Sequence, residues 1–101
     1  MDTNKQTKSL ADIRDSGQFD FWRDNRLDQH FQMNGVELRE KFRPWLSTKE
    51  DAWFNYYNTD MIVRAFLTAK DGISSVFEED QYNQLYLALQ PVVSERRMKD
   101  V

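Results

Sequence analysis

The residues of this sequence best suited to contact another molecule are aromatic, and 14 of its 101 residues are Phe, Trp or Tyr. Tyr, Trp, Phe, Met and Arg are enriched where proteins meet, and Tyr and Trp join an apolar ring to a polar tip that suits a partly hydrated rim. The same residue types also build ordinary cores. Five of them lie in the helices predicted below and form the predicted protein interface: Trp53, Tyr56, Tyr57, Tyr82 and Tyr86.

Arginines close to aromatic residues are the second feature that could bind a ligand. Arg23 and Arg26 follow a tryptophan, and Arg39 and Arg43 lie in a segment that contains Phe and Trp. Such residues can stack on nucleic-acid bases and hold phosphates. Each segment also holds about as many acidic residues as basic ones, and the net charge of −3 disfavours the binding of a polyanion such as nucleic acid. A helical nucleic-acid-binding or transcription-regulating module is therefore the alternative prediction.

Catalytic and metal-binding patterns are missing from the sequence. His30 is the only histidine, and a general base needs a reactive partner that the sequence does not offer. The absence of cysteine excludes disulfides, zinc–thiolate sites and a thiol nucleophile. The acids of 78–80 suit the first turn of a helix, where the helix dipole favours negative charge. We therefore expect no catalytic residue, metal or cofactor, and an enzyme without a recognisable motif is the third hypothesis.

The composition is that of a folded helical domain. Three glycines and two prolines supply little turn chemistry for strands and hairpins. A chain of this length predicts one domain, which we place at 9–101, after a polar, mobile tail at 1–8. No segment is apolar enough to cross a membrane, and the N-terminus does not look like a secretion signal. With no cysteine, these features predict a cytoplasmic protein.

One long helix from Ser47 to Gly72 is the expected centre of the fold. Ser47 and Glu50 have the spacing of a capping box, and Gly72 suits a helix C-terminus. The alternative is a break at 58–60, with Thr59 capping a second helix. Apolar residues reach several sides of this segment, whereas a surface helix should be polar over about half its circumference. A second copy of the chain would cover the excess, so the sequence predicts a homodimer.

The remaining segments predict shorter helices around this one. Ser75 with Glu78 would cap a helix that Pro91 ends or kinks, and the short connection favours an antiparallel hairpin of about 48–71 and 76–90. Before it, we expect two or three short helices: one over Leu10–Ser16 capped by Ser9, one after Gly17, and one over Val36–Arg43 that Pro44 limits. The predicted fold is an all-α, small helical bundle.

The absence of catalytic patterns and the excess of interface residue types together predict a function. We expect a small, non-catalytic regulatory or adaptor protein that acts by binding another protein and forms a homodimer. Its partner is not indicated by the sequence. Within the bundle, Phe66 and Leu85 are expected to be buried.

Overall fold

The computed structural model describes residues 9–25 and 32–99, apart from the side chains of residues 18 and 99. The predicted tail at 1–8 lies outside these ranges. The described part confirms the all-α prediction. Its six helices are α1 (Leu10–Asp15), α2 (Gln18–Asp24), α3 (Gly35–Ser47), α4 (Asp51–Tyr56), α5 (Thr59–Thr68) and α6 (Glu79–Lys99).

The first two helices follow the sequence prediction closely. Asp12 N donates to Ser9 Oγ at 3.1 Å and Ser9 N donates to Asp12 Oδ2 at 3.4 Å, which is the predicted capping box of α1. Gly17 adopts a φ of +81°, a conformation that favours glycine, and α2 begins directly after it. Phe19 and Trp22 are buried on one side of α2.

α3 is longer than predicted because Pro44 does not end it. The helix continues to Ser47, although a proline inside a helix costs about 3 kcal/mol through its missing N–H and its steric clash. Trp45 and Leu46, which follow the proline, are 7% and 2% exposed, so their burial offsets this cost. The start of α3 is fixed by Asn34, whose Oδ1 accepts from Glu37 N at 2.9 Å.

The prediction of one helix over 47–72 is wrong, and the alternative of two helices describes the segment. Ser47 ends α3 and its Oγ donates to Pro44 O, so Ser47 is not an N-cap. α4 ends at Tyr56 and is followed by an extended Tyr57, and α5 begins after Asn58. Asn58 Oδ1 accepts from Met61 N at 2.8 Å, which makes Asn58 the cap in place of the expected Thr59.

α6 also begins and ends at residues other than those predicted. Glu78 precedes its first residue, and Glu78 N donates to Gln81 Oε1 at 2.9 Å, whereas Ser75 Oγ donates to Ile73 O. The helix continues through Pro91 to Lys99, because Val92 and Val93 are 4% and 0% exposed and their burial favours continuation.

The core draws side chains from all six helices. α6 contacts α1, α3 and α5, and α2 contacts α1 and α3. The contact between α5 and α6 is present, while their antiparallel arrangement remains a prediction. Phe66 and Leu85 are each 1% exposed, which confirms their predicted burial. The other fully buried large side chains are Ile13, Leu38, Phe42, Phe54, Ile62, Val63, Leu67, Leu89 and Val93.

Candidate protein-binding surface

The five predicted interface residues divide into two groups. Trp53, Tyr56 and Tyr57 lie at α4, and we call these three residues the α4 aromatic surface. Tyr82 and Tyr86 lie together on α6, with ring centroids 6.1 Å apart. The described ring contacts join the residues within each group and do not join the two groups.

The α4 aromatic surface is a series of ring contacts that begins in the core. The buried Trp45 meets Trp53 edge-on, with centroids 5.8 Å apart and an interplanar angle of 83°. Trp53 lies 5.0 Å from Tyr57, and Tyr57 meets Tyr56 at 4.8 Å and 75°. Trp53 and Tyr57 are half-buried, whereas Tyr56 is 78% exposed. An exposed ring is therefore supported by a continuous stack of rings that ends in the interior.

α4 has only six residues, and a helix this short is not stable by itself. Phe54 attaches it to the molecule, because the Phe54 side chain is 0% exposed. The guanidinium carbons of Arg96 and Arg97 lie 4.4 Å and 4.7 Å from the centroid of the Phe54 ring, as cation–π contacts require. Arg97 Nη2 also donates to Tyr57 O at 3.2 Å, at the end of α4.

Arg96 connects the end of α6 to the turn between α3 and α4. Its Nη1 donates to Leu46 O at 2.7 Å, and its Nη2 donates to Lys49 O at 2.9 Å and to Asp51 Oδ1 at 3.0 Å. Carbonyls at a helix C-terminus lack partners within the helix, and a guanidinium satisfies them well. Arg96 thus fixes where α4 starts relative to the core.

Two cations border the α4 aromatic surface without a carboxylate partner in the described ranges. Lys49 Nζ lies 4.5 Å from the centroid of Trp45 and 5.2 Å from that of Trp53. Arg97 contacts the Phe54 ring and donates to Tyr57 O, and it forms no ion pair with any residue in the described ranges. The surface therefore offers both exposed aromatic area and positive charge.

Sequence reasoning did not assign a role at this surface to Lys49, Arg96 or Arg97. Lys49 stands four residues before Trp53, a spacing that could have indicated a contact. Arg96 and Arg97 gave no such signal, because their partners lie 40 to 50 residues away in sequence.

Tyr82 does not belong to the exposed interface that the sequence predicts for it. Its side chain is 3% exposed, and its hydroxyl donates to Asp60 Oδ1 and lies 3.3 Å from Asp60 O. Burial raises the pKa of the Tyr82 phenol, and the hydrogen bond to Asp60 raises it further. Arg64 stacks on the Tyr82 ring at 3.9 Å and pairs with Asp60 at 3.2 Å. Tyr86 is half-buried beside it.

Three arginines of the alternative prediction are described, Arg23 on α2 and Arg39 and Arg43 on α3. Arg23 pairs with Asp24 at 3.1 Å and with Asp20 at 3.4 Å. Arg43 lies 3.8 Å from Glu95, and Arg39 is half-buried. Arg26, the fourth member of this set, lies outside the described residues. His30, the general-base candidate, lies outside them too.

The described ranges contain no group of three or more His, Cys, Asp or Glu side chains placed to hold a metal ion. None of the described helices is both long and apolar enough to cross a bilayer. Comparison with protein-family models, curated protein sequences and solved structures gives no match to this chain.

Proposed function

We propose that this chain is a small, non-catalytic regulatory or adaptor protein that binds another protein through the α4 aromatic surface. The observation that carries the proposal is the exposed Tyr56 ring, which rests edge-on against Tyr57 and through it on Trp53 and the core. Tyr and Trp dominate binding energy at protein interfaces, and a ring already fixed in place loses little conformational entropy on binding.

The partner we propose is a protein that offers an apolar pocket with carboxylates at its edge. The pocket would receive Tyr56, and the carboxylates would pair with Lys49 and Arg97, whose charges lack an ion-pair partner in the described ranges. Complementary charge of this kind favours the correct partner and raises the association rate. The proposed compartment is the cytoplasm, which a chain without cysteine suits.

A photo-crosslinking residue at position 56 tests the proposal. In extract of the native host we expect one protein adduct from position 56 and none from position 61, because Met61 is 50% exposed but lies on α5. With the adduct protein purified, Tyr56→Ala should weaken its binding by about tenfold or more, the effect of truncating an interface hot spot, whereas Met61→Ala should not.

Equal crosslinking at both positions, or equal affinities of the two variants, would contradict this assignment. An adduct of twice the chain mass would instead support the homodimer, with Tyr56 of each copy bound by the other. The sequence predicts a homodimer from one long helix over 47–72 with apolar residues on several sides. The segment is not one helix, so that reasoning no longer supports a homodimer. Self-association through Tyr56 is therefore the second form of the proposal.

Nucleic-acid binding and catalysis have less support. Arg23 and Arg43 lie beside carboxylates, so much of the basic charge of the predicted arginine set is compensated within the chain. A gel shift at low salt, where phosphate contacts are strongest, tests nucleic-acid binding. An enzyme without a recognisable motif is the third proposal.

A further inference from the structure

Four oxidisable side chains lie in an unbroken series of ring contacts between the core and the surface. In a chain without cysteine, the indole of tryptophan and the phenol of tyrosine are the groups that most readily lose one electron. Trp45 lies 5.8 Å from Trp53, measured between ring centroids, and Trp53 lies 5.0 Å from Tyr57. Tyr57 in turn lies 4.8 Å from Tyr56. Because electron transfer slows steeply with distance, rings in contact exchange an electron far faster than rings that other side chains separate.

The inner end of this series does not favour an oxidised ring. An indole that has lost an electron becomes neutral only when it also loses its N–H proton. Trp45 Nε1 is buried and donates no hydrogen bond to any residue in the described ranges, so this proton has no acceptor there. Lys49 Nζ lies 4.5 Å from the centroid of Trp45 and 5.2 Å from that of Trp53, and its positive charge opposes a second positive charge on either ring. An electron deficiency on the tryptophans is therefore destabilised.

The outer end of the series favours it. Tyr56 is 78% exposed, so its phenol can release a proton to water as it loses an electron. The product is a neutral phenoxyl radical, which leaves no charge to be desolvated. Tyr57 is half-buried and lies between Tyr56 and Trp53, so it connects the tryptophans to this exit. The surroundings of the four rings thus direct an electron deficiency outward.

We propose that these four side chains form an oxidation relay, which moves an oxidising equivalent away from the core and delivers it to Tyr56. A small inorganic radical, such as the azide or carbonate radical, takes one electron from Trp53 and leaves as its anion. Tyr57 returns an electron to Trp53 and loses its proton, and it then regains an electron and a proton from Tyr56. The net products are the Tyr56 phenoxyl radical and one released proton. A soluble thiol then gives Tyr56 a hydrogen atom and becomes a thiyl radical. The relay needs no bound partner, so it does not rest on the proposed function.

Pulse radiolysis of the full chain with azide radical tests the relay, because indolyl and phenoxyl radicals absorb at different wavelengths. We expect the indolyl signal to decay and the phenoxyl signal to grow at one first-order rate that does not depend on protein concentration. Tyr57→Phe should slow this step by about tenfold or more, since a phenyl ring has no O–H group to oxidise and the barrier rises. Tyr86→Phe is the matched control. It removes the same group from a half-buried tyrosine of α6, which contacts the Tyr82 ring, and it should leave the rate unchanged.

The outcomes separate a relay from independent oxidation of each ring. An indolyl signal that decays without growth of the phenoxyl signal, or equal rates in Tyr57→Phe and Tyr86→Phe, overturns the proposal. Should Tyr57→Phe fold poorly by circular dichroism, Trp53→Phe is the second variant, because it removes the half-buried ring at which the oxidant enters. It should lower the yield of the slow phenoxyl phase, whereas Trp22→Phe, which removes a buried tryptophan of α2, should not. Equal yields in these two variants also overturn the relay.

Discussion

Phe66 shows how single residues hold this bundle together. Its side chain is 1% exposed, and its ring centroid lies 4.9 Å from Phe42 and 5.2 Å from Trp45. Phe66→Ala should lower the free energy of unfolding by about 3–5 kcal/mol, because it removes buried apolar area and leaves a cavity. Urea denaturation followed by circular dichroism measures this change.

The control for Phe66 is a residue of the same helix that faces solvent. Met61 is 50% exposed on α5, and Met61→Ala should cost well under half as much as Phe66→Ala. Leu85→Ala, at a 1% exposed position of α6, should cost about 2–5 kcal/mol. Unchanged denaturation midpoints for both buried variants would mean that these faces of α5 and α6 are not in the core.

Burial could be predicted from the sequence where it depends on helical spacing, and not where it depends on distant neighbours. Leu38, Phe42 and Trp45 recur at helical spacing, a pattern that favours one buried face, and all three are buried on α3. Tyr56 and Tyr82 were equivalent candidates for an interface. They differ because Tyr82 packs near Asp60, 22 residues away, whereas Tyr56 has open solvent before it.

At the scale of elements, helix boundaries also could not be predicted where they depend on tertiary packing. Ser9 with Asp12, and Ser47 with Glu50, present the same pattern of a serine followed by an acid three residues later. Ser9 caps α1 as predicted. Ser47 does not cap a helix, because burial of the residues just before it carries α3 past Pro44. Local patterns predict that a helix exists, and tertiary packing decides where it ends.

The turn after α5 depends on Gly72. A Cβ atom at this position would overlap the carbonyl oxygen of Phe66, which accepts from Ile73 N at 3.1 Å. Gly72→Ala should therefore force the backbone to move and cost about 2–4 kcal/mol, near the upper end for single substitutions. Thermal or chemical unfolding of the variant measures the cost.

Gly17 provides the comparison, because a Cβ there meets no atom within 4 Å. Its φ of +81° is the only strain that a side chain would meet, so Gly17→Ala should cost about 1–2 kcal/mol. A larger loss at Gly17 than at Gly72 would contradict the close approach to the Phe66 carbonyl.

At the scale of the whole molecule, the break between α4 and α5 changes how apolar surface is covered. Phe54, Ile62 and Val63 are each 0% exposed within a single chain. These side chains are thus covered by the chain itself, and the large hydrophobic side chains of 47–72 that remain exposed are Tyr56 and Met61, at 78% and 50%. A dimer detected by light scattering at micromolar concentration would therefore be expected to weaken in Tyr56→Ala.

α4 is joined to the rest of the molecule chiefly through Phe54 and the arginines at the end of α6. Three hydrogen bonds of Arg96 reach the last turn of α3, the turn before α4 and the first residue of α4, and the Arg96 side chain is 18% exposed. Arg96→Met keeps the apolar stem but removes these bonds, and it should destabilise the attachment of α4 by about 1–3 kcal/mol. Amide hydrogen exchange at 51–57 should then accelerate by about tenfold or more, whereas exchange in the centre of α6 should change little.

Arg64→Met is the matched control for this effect. Arg64 also pairs with a carboxylate, Asp60, and stacks on an aromatic ring, that of Tyr82, but its contacts join α5 to α6. Its loss should leave exchange in α4 unchanged. If both variants accelerated exchange across the whole chain equally, α4 would open only with global unfolding, and Arg96 would not act locally. Selective loosening of α4 in Arg96→Met should also weaken binding through Tyr56, because the exposed ring would no longer be held in one orientation before the partner arrives.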